Sequence, residues 1–153
     1  VCIVLECAGQ PYVLVNQRGS GAPDFAGYWN LPCGYLDYDE TTSEAAMREV
    51  WEECGVNSLD LLEQADVECF SKPWDISSQP TDNRQNVTIY HGRHARVAEL
   101  PPVSNANCEP DETADIRWLP LSEVDTLQYA FRHRERIDKF LAYLEEVAGI
   151  RYA

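Results

Sequence analysis

No stretch of this sequence approaches the roughly 18 consecutive apolar residues that a membrane-spanning helix needs. Its opening residues carry no basic segment followed by an apolar block and cleavage site, so a secretory leader is not expected. No C-x-x-C pair occurs among the cysteines, which makes zinc knuckles and small disulfide scaffolds poor fits. Internal repeats and low-complexity tracts are absent too. Basic residues are scarce: 12 Lys and Arg stand against 26 Asp and Glu, a formal net charge of −14. A field of that sign repels polyanions, so long nucleic acid is not an expected partner, and neither is a membrane. What remains is a soluble acidic protein, expected in the cytoplasm with reduced, mostly buried thiols. A homodimer is left open.

The chain's 153 residues and 44% hydrophobic content suffice for one core, and a single domain over residues 1–153 is expected. Val1 to Cys7 is strongly apolar, Ala8-Gly9-Gln10-Pro11 is turn-like, and Tyr12 to Arg18 is rich in strand formers; together they predict a β-hairpin. Gly19 to Gly27 has loop composition before Tyr28 to Pro32 resumes a short extended stretch. Thr42 or Ser43 is placed to cap a helix from Glu44 to Cys54, with Gly55 as its stop. Then come a strand at Asp66 to Phe70, a polar loop at Ser71 to Asn83, a strand at Asn86 to Val97 and a short one at Asp115 to Leu119. Leu121 to Val147 is helical by pattern, with Phe131, Ile137, Phe140, Leu141 and Leu144 spaced for one buried face. This order of strands and helices is mixed α/β (α+β).

On the central helix, Glu49, Glu52 and Glu53 stand at i, i+3 and i+4, which gathers three carboxylates on one face. Met47, Val50 and Cys54 form an apolar stripe, so the acidic face is expected to point away from the core. Such a triplet alone is usually a solvated helix face, with Arg48 pairing to Glu44 or Glu52. Its surroundings say more. Gly34, Glu40, Arg48-Glu49-Val50, Glu52-Glu53, Gly55 and Val56 match the pattern Gly, five residues, Glu, seven residues, Arg-Glu, an aliphatic, any residue, Glu-Glu, any residue, Gly, an aliphatic. The segment Gly34 to Val56 therefore resembles the Nudix box. Leu14 to Arg18, Trp29-Asn30-Leu31-Pro32 and Trp118-Leu119-Pro120-Leu121 extend the resemblance more loosely.

The resemblance implies an α/β/α sandwich, with a mixed, partly curled sheet between the box helix and a C-terminal helix. It also implies an enzyme that hydrolyses a diphosphate bond in a nucleoside diphosphate linked to another moiety, ADP-ribose-like or a nucleoside triphosphate. Magnesium is the implied cofactor, with manganese as a substitute. Oxygen ligands suit such hard cations, which neutralise phosphate oxygens and lower the pKa of bound water. Glu49, Glu52 and Glu53 become the metal ligands, supported by Glu40 and by a backbone carbonyl at Cys33 or Gly34. Arg48 orients Glu49, and Gly34 permits the turn into the helix. Cys33, where the family often has glycine, raises the alternatives of a restricted backbone, a cysteine nucleophile or the isomerase that shares the fold. Glu112, in the loop before the Trp118 strand, is a candidate general base, weighed evenly against an exposed loop acid. Phe25, Tyr28, Trp29 and Trp74 are candidates for stacking on a base, and Arg18 and Arg84 for meeting phosphate, although core packing or surface ion pairing explains any of them as well. Ser71-Lys72-Pro73-Trp74 faintly resembles a motif of the NADH diphosphatase branch, and a proline this far past the box is associated with ADP-ribose diphosphatases. His91, Arg93 and His94 can line a pocket or a solvated edge. The alternative to an enzyme is a ligand-sensing module derived from the same fold.

Overall fold

The computed structural model describes residues 1–83 and 85–152. Strands β1 (Cys2–Cys7) and β2 (Gln10–Arg18) form the expected hairpin, turning on Ala8 and Gly9 with φ of 51° and 78°. Two successive positive φ values are what a tight two-residue turn between twisted strands requires. Gln10 and Pro11, expected in the turn, already pair with Cys7 and Glu6. Strand β3 (Trp29–Asn30) and then the long β8 (Thr113–Pro120) also pair with β2. Because β8 runs along β2 from Tyr12 to Arg18, β1 and β3 must share the opposite edge, one on each half. The sheet continues from β1 through the parallel β7 (Gly92–Val97) to the antiparallel β4 (Ala65–Cys69).

Alternation along the central strands builds two cores. Cys2, Val4, Val13 and Val15 face α3 (His133–Ala148), where Ile137, Phe140 and Leu144 are fully buried. Ile3, Leu5 and Leu14 face α1 (Thr42–Cys54), meeting Ala46, Val50 and Cys54. A period of two in the strands against a helical stripe on each side gives the three-layer α/β/α arrangement.

Helix α1 starts at Thr42, two residues earlier than expected, and its cap is neither Thr42 nor Ser43. Thr41 is the N-cap: its hydroxyl accepts from the Glu44 amide at 3.1 Å, and the Glu44 carboxylate accepts from the Thr41 amide at 2.8 Å. This reciprocal pair satisfies two otherwise free amides. Gly55, with φ of 70°, closes the helix as expected.

Three other expectations are corrected. Ser71 to Asn83 is not a plain loop, for it contains β5 (Asp75–Ser77) and the short α2 (Pro80–Asn83). The single strand at Asn86 to Val97 is two, because β6 (Thr88–Tyr90) pairs with β5 in a separate sheet while β7 joins the main one. His91 is the corner between them. The helix expected from Leu121 is interrupted: Leu121–Thr126 forms a 3-10 turn, and Tyr129 then bridges to Trp29 before α3 begins. Phe131 and Arg132 take φ of 56° and 60° in that connection, which leaves Phe131 40% exposed rather than on the buried face. No helix among the described residues is long and apolar enough to cross a membrane.

Candidate active site

The acidic face of α1 does not point to solvent. Glu49 and Glu53 are only 9% and 7% exposed, and Glu52 alone is well accessible. Two loops cover them. The Cys33 amide donates to Glu53 Oε2 at 3.1 Å, and Asn16 Nδ2, on β2, lies 3.5 Å from the same oxygen. Burial, then the neighbouring Glu49 carboxylate, pushes the Glu53 carboxyl up to about 8. Burial likewise raises Glu49, against the opposing pull of Arg48. Both carboxyls feel Glu112 as well.

Arg48 ties this cluster together. Its Nη2 donates to Glu40 Oε1 at 2.7 Å and to the Tyr35 carbonyl, while Nη1 donates to Glu49 Oε1 at 2.8 Å and to Glu52 Oε2 at 3.1 Å. With five N–H donors in one plane, the guanidinium reaches Glu40, Glu49, Glu52 and the Tyr35 carbonyl together, more partners than the three hydrogens of an ammonium supply. Glu40 also accepts from the Asp37 amide and is held below the usual carboxylate range, chiefly by Arg48. It thus braces Arg48.

Gly34 has a role other than the expected turn. Its φ is not among the positive ones, but a Cβ built there would meet Glu49 Oε1 at 2.0 Å. The glycine makes room for a carboxylate. Cys33 likewise sits in ordinary backbone space, so its side chain imposes no restriction there. Burial and Glu53 push its thiol up to about 12, which leaves it protonated and a poor nucleophile at neutral pH.

Asn16, Arg18, Cys33, Glu53, Glu109 and Glu112 line a cavity of about 340 Å³. The structure therefore brings Glu112 and Arg18 to the box carboxylates, although Arg18 is also paired with Asp24 at 2.6 Å and lies over the Phe131 ring. Tyr28 and Phe25 are partly exposed and pack on each other, and Phe25 also meets Phe131. Trp29 is core, 6% exposed under the Arg117 guanidinium. Trp74 is not near the cavity: it packs on Phe140, Tyr143 and Tyr90 at the α3 face of the sheet. Arg84 lies outside the described residues. His91 and His94 are buried rather than pocket-lining; the His91 ring contacts the Cys69 carbonyl and Thr42, and His94 contacts Tyr152 and Asp66. Arg93 is buried over Phe70. Sequence reasoning missed Asn16 and Glu109, a buried amide on a strand and an ordinary loop acid, which carry no motif signal.

A family model described as NUDIX domain matches residues 1–144. The chain belongs to the Nudix family. An RNA pyrophosphohydrolase of Brucella abortus is 38% identical over 138 residues, covering 85% of this chain and 74% of its own length. One from Brucella anthropi is 27% identical over 156 residues, covering 97% and 82%. Among solved structures, the NUDIX domain of Shewanella oneidensis NrtR, complexed with ADP ribose, superposes with a TM-score of 0.68 at 20% identity, covering 94% of this chain and 85% of that one. A bifunctional NMN adenylyltransferase/ADP ribose pyrophosphatase of Francisella tularensis, complexed with AMP and a Mn ion, gives 0.66 at 23% identity, covering 92% and 40%. These two likenesses show the fold. The protein is a Nudix hydrolase, and its reaction is cleavage of a diphosphate bond.

Nudix hydrolases generally require a divalent metal, and the donor set here fits one. Glu49 and Glu53 are buried together, and among the described residues the donors facing Glu53 are a neutral amide N–H and the Asn16 side chain. Buried carboxylates of this kind are stabilised by a cation with a preference for oxygen. Among the described residues, no three His, Cys, Asp or Glu side chains are already gathered about one point, and Glu49 and Glu52 both accept from Arg48 Nη1.

Proposed function

We propose that the protein hydrolyses the diphosphate bond of a small nucleoside diphosphate linked to another moiety, ADP-ribose-like, or of a nucleoside triphosphate, with magnesium as cofactor and manganese as substitute. The observation that carries this reading is the convergence of buried Glu53 with Glu112 and Arg18 at one cavity, with buried Glu49 beside Glu53 behind it. At about 340 Å³ it lies in the size range of small-ligand pockets. Glu49, Glu52 and Glu53 would hold the metal, which when bound supplies positive charge against the phosphate oxygens. Arg48 and Glu40 fix the orientation of Glu49, Arg18 meets a phosphate oxygen, and Glu112 takes the proton from the attacking water. Phe25 and Tyr28 pack on each other, and Phe25 on the Phe131 ring that Arg18 covers, and these exposed rings would offer faces to a base. The free cysteines suit a reducing cytoplasm.

The Brucella relatives, described as RNA pyrophosphohydrolases, favour a second substrate class, an RNA that carries a terminal diphosphate bond. A product-release screen with magnesium over ADP-ribose, dinucleotides, nucleoside triphosphates and a short 5′-triphosphorylated RNA decides between them. Turnover of the small nucleotides at higher kcat/KM supports the first reading, and preference for the RNA replaces it with the second. Tight binding of ADP-ribose with no product from any compound would instead support a ligand-sensing module.

A further inference from the structure

The loop that carries Glu112 is fastened to the loop that follows β2, and the fastening depends on a glycine. Between β2 and β8 the ladder slips one residue, pairing Gln17 with Asp115 but Arg18 with Thr113. A slip of this kind re-aims the chain beyond it. Past it, the Gly19 amide donates to the Glu112 carbonyl at 2.8 Å and the Gly21 amide to the Asp111 carbonyl at 2.9 Å. A Cβ on Gly19 would stand 2.1 Å from the Asp111 carbonyl oxygen, 2.6 Å from its carbon and 3.0 Å from the Glu112 carbonyl carbon. All three are backbone atoms, so no side-chain rotation relieves the overlap. At Gly21 the nearest approach is 3.1 Å, to the same oxygen. The φ of Gly19 is not positive, so its need is for space rather than for conformational freedom. Asp111 is itself held at φ of 63°, a conformation that non-glycine residues adopt only when their surroundings impose it.

We propose that Gly19 is a positioning residue for diphosphate hydrolysis: its bare α-carbon lets the β2–β3 loop clamp the backbone of Asp111 and Glu112, which fixes the Glu112 carboxylate at the cavity. This rests on Glu112 acting as the base. With any side chain at position 19 the Glu112 segment must move out from β2, and the carboxylate with it. The substrate and the box glutamates keep their places, so the loss falls on turnover rather than on binding.

The test is a double-mutant cycle with Gly19→Ala and Glu112→Gln in the magnesium-loaded enzyme. Gly19→Ala is expected to lower kcat by at least about tenfold with KM within about twofold, the signature of an interaction that matters in the transition state. In the Glu112→Gln background the same change is expected to cost nothing further, because the group it positions is already gone. Gly21→Ala, with its longer approach, should show the same pattern at smaller size and serves if Gly19→Ala does not fold. Gly9→Ala is the control: a Cβ there meets nothing within 4 Å, so it should lower stability through its φ of 78° and leave kcat alone. Amide exchange at Gly21 and at Glu112 and Thr113 should quicken in Gly19→Ala. A Gly19→Ala enzyme with wild-type kcat, or one whose loss multiplies with that of Glu112→Gln, overturns the proposal. If Glu112→Gln alone is fully active, the reading of Glu112 as base fails instead, and the exchange data still show whether the clamp exists.

Discussion

Gly34 shows how closely the loop and the box helix meet. Because a Cβ at this position would lie 2.0 Å from Glu49 Oε1 and 2.2 Å from its Cδ, Gly34→Ala must turn the Glu49 carboxylate away from Arg48. Arg48 keeps its bonds to Glu40, Glu52 and the Tyr35 carbonyl, so we expect circular dichroism to be unchanged while the magnesium concentration for half-maximal rate rises severalfold. A variant with wild-type magnesium dependence would remove Glu49 from the ligand set. Glu53→Gln probes the same cluster from the other side. Glu53 sits 7% exposed beside Glu49, and its carboxyl is pushed up to about 8, so its ionised form is an unfavourable guest in the cation-free protein. The amide should cut kcat by orders of magnitude yet leave melting in chelator no lower than wild type. A large loss of stability in chelator would show that Glu53 is structural. Neither burial was legible in the sequence. The helical spacing identified the acidic face correctly, but which way that face turns depends on the Cys33 and Glu112 loops folding over it, a contact between segments far apart in the chain.

At the scale of elements, what was legible was local. The box helix has its apolar stripe at Val50 and Cys54 and its stop at Gly55, all set by neighbours along the chain, and its range came out within two residues. The C-terminal helix misled because Leu127 to Arg132 continue an apolar pattern while being drawn into a bridge with β3, a tertiary contact that overrides local preference. Its true start has a consequence for pH. His133, at the head of α3, is 6% exposed, and its Nδ1 accepts from the Leu31 amide at 3.0 Å. Burial holds it down at about 3. The folded pKa is then below that of the unfolded chain, about 6.5, so the unfolded state binds the extra proton. This contribution is complete above about pH 6.5 and drains away as pH falls toward 3, at up to about 1.4 kcal/mol per pH unit. His91 and His94, also lowered by burial, act in the same direction. His133→Asn keeps an acceptor for Leu31 without a titrating group. Urea unfolding between about pH 6.5 and 4.5 should show a shallower loss of stability in the variant, and parallel curves would contradict the assignment.

The whole molecule carries a formal charge of −14, and its cavity is rimmed by Glu53, Glu109 and Glu112. Both the protein and any phosphorylated substrate are therefore anionic, and their approach is opposed over distances comparable to the Debye length, about 10 Å at 0.1 M salt. Salt screens that repulsion. With magnesium held saturating, kcat/KM for a nucleoside triphosphate should rise as sodium chloride goes from about 20 to about 200 mM, while kcat stays level because the bound complex is already formed. A contact of Arg18 with phosphate would oppose the trend, but it is one charge, itself shared with Asp24, against a net excess of acids. A longer anion feels the field over more of its length, so the rise should be steeper for a 5′-triphosphorylated RNA than for a free nucleotide. The alternative has the opposite sign. Were RNA held along a track of cations, each neutralised phosphate would release counterions, and kcat/KM would fall with salt by roughly one logarithmic unit per logarithmic unit for every contact. A falling curve for RNA beside a rising one for the nucleotide would locate such a track and make the RNA end the favoured substrate. Rising curves for both would leave the small nucleotide in that place.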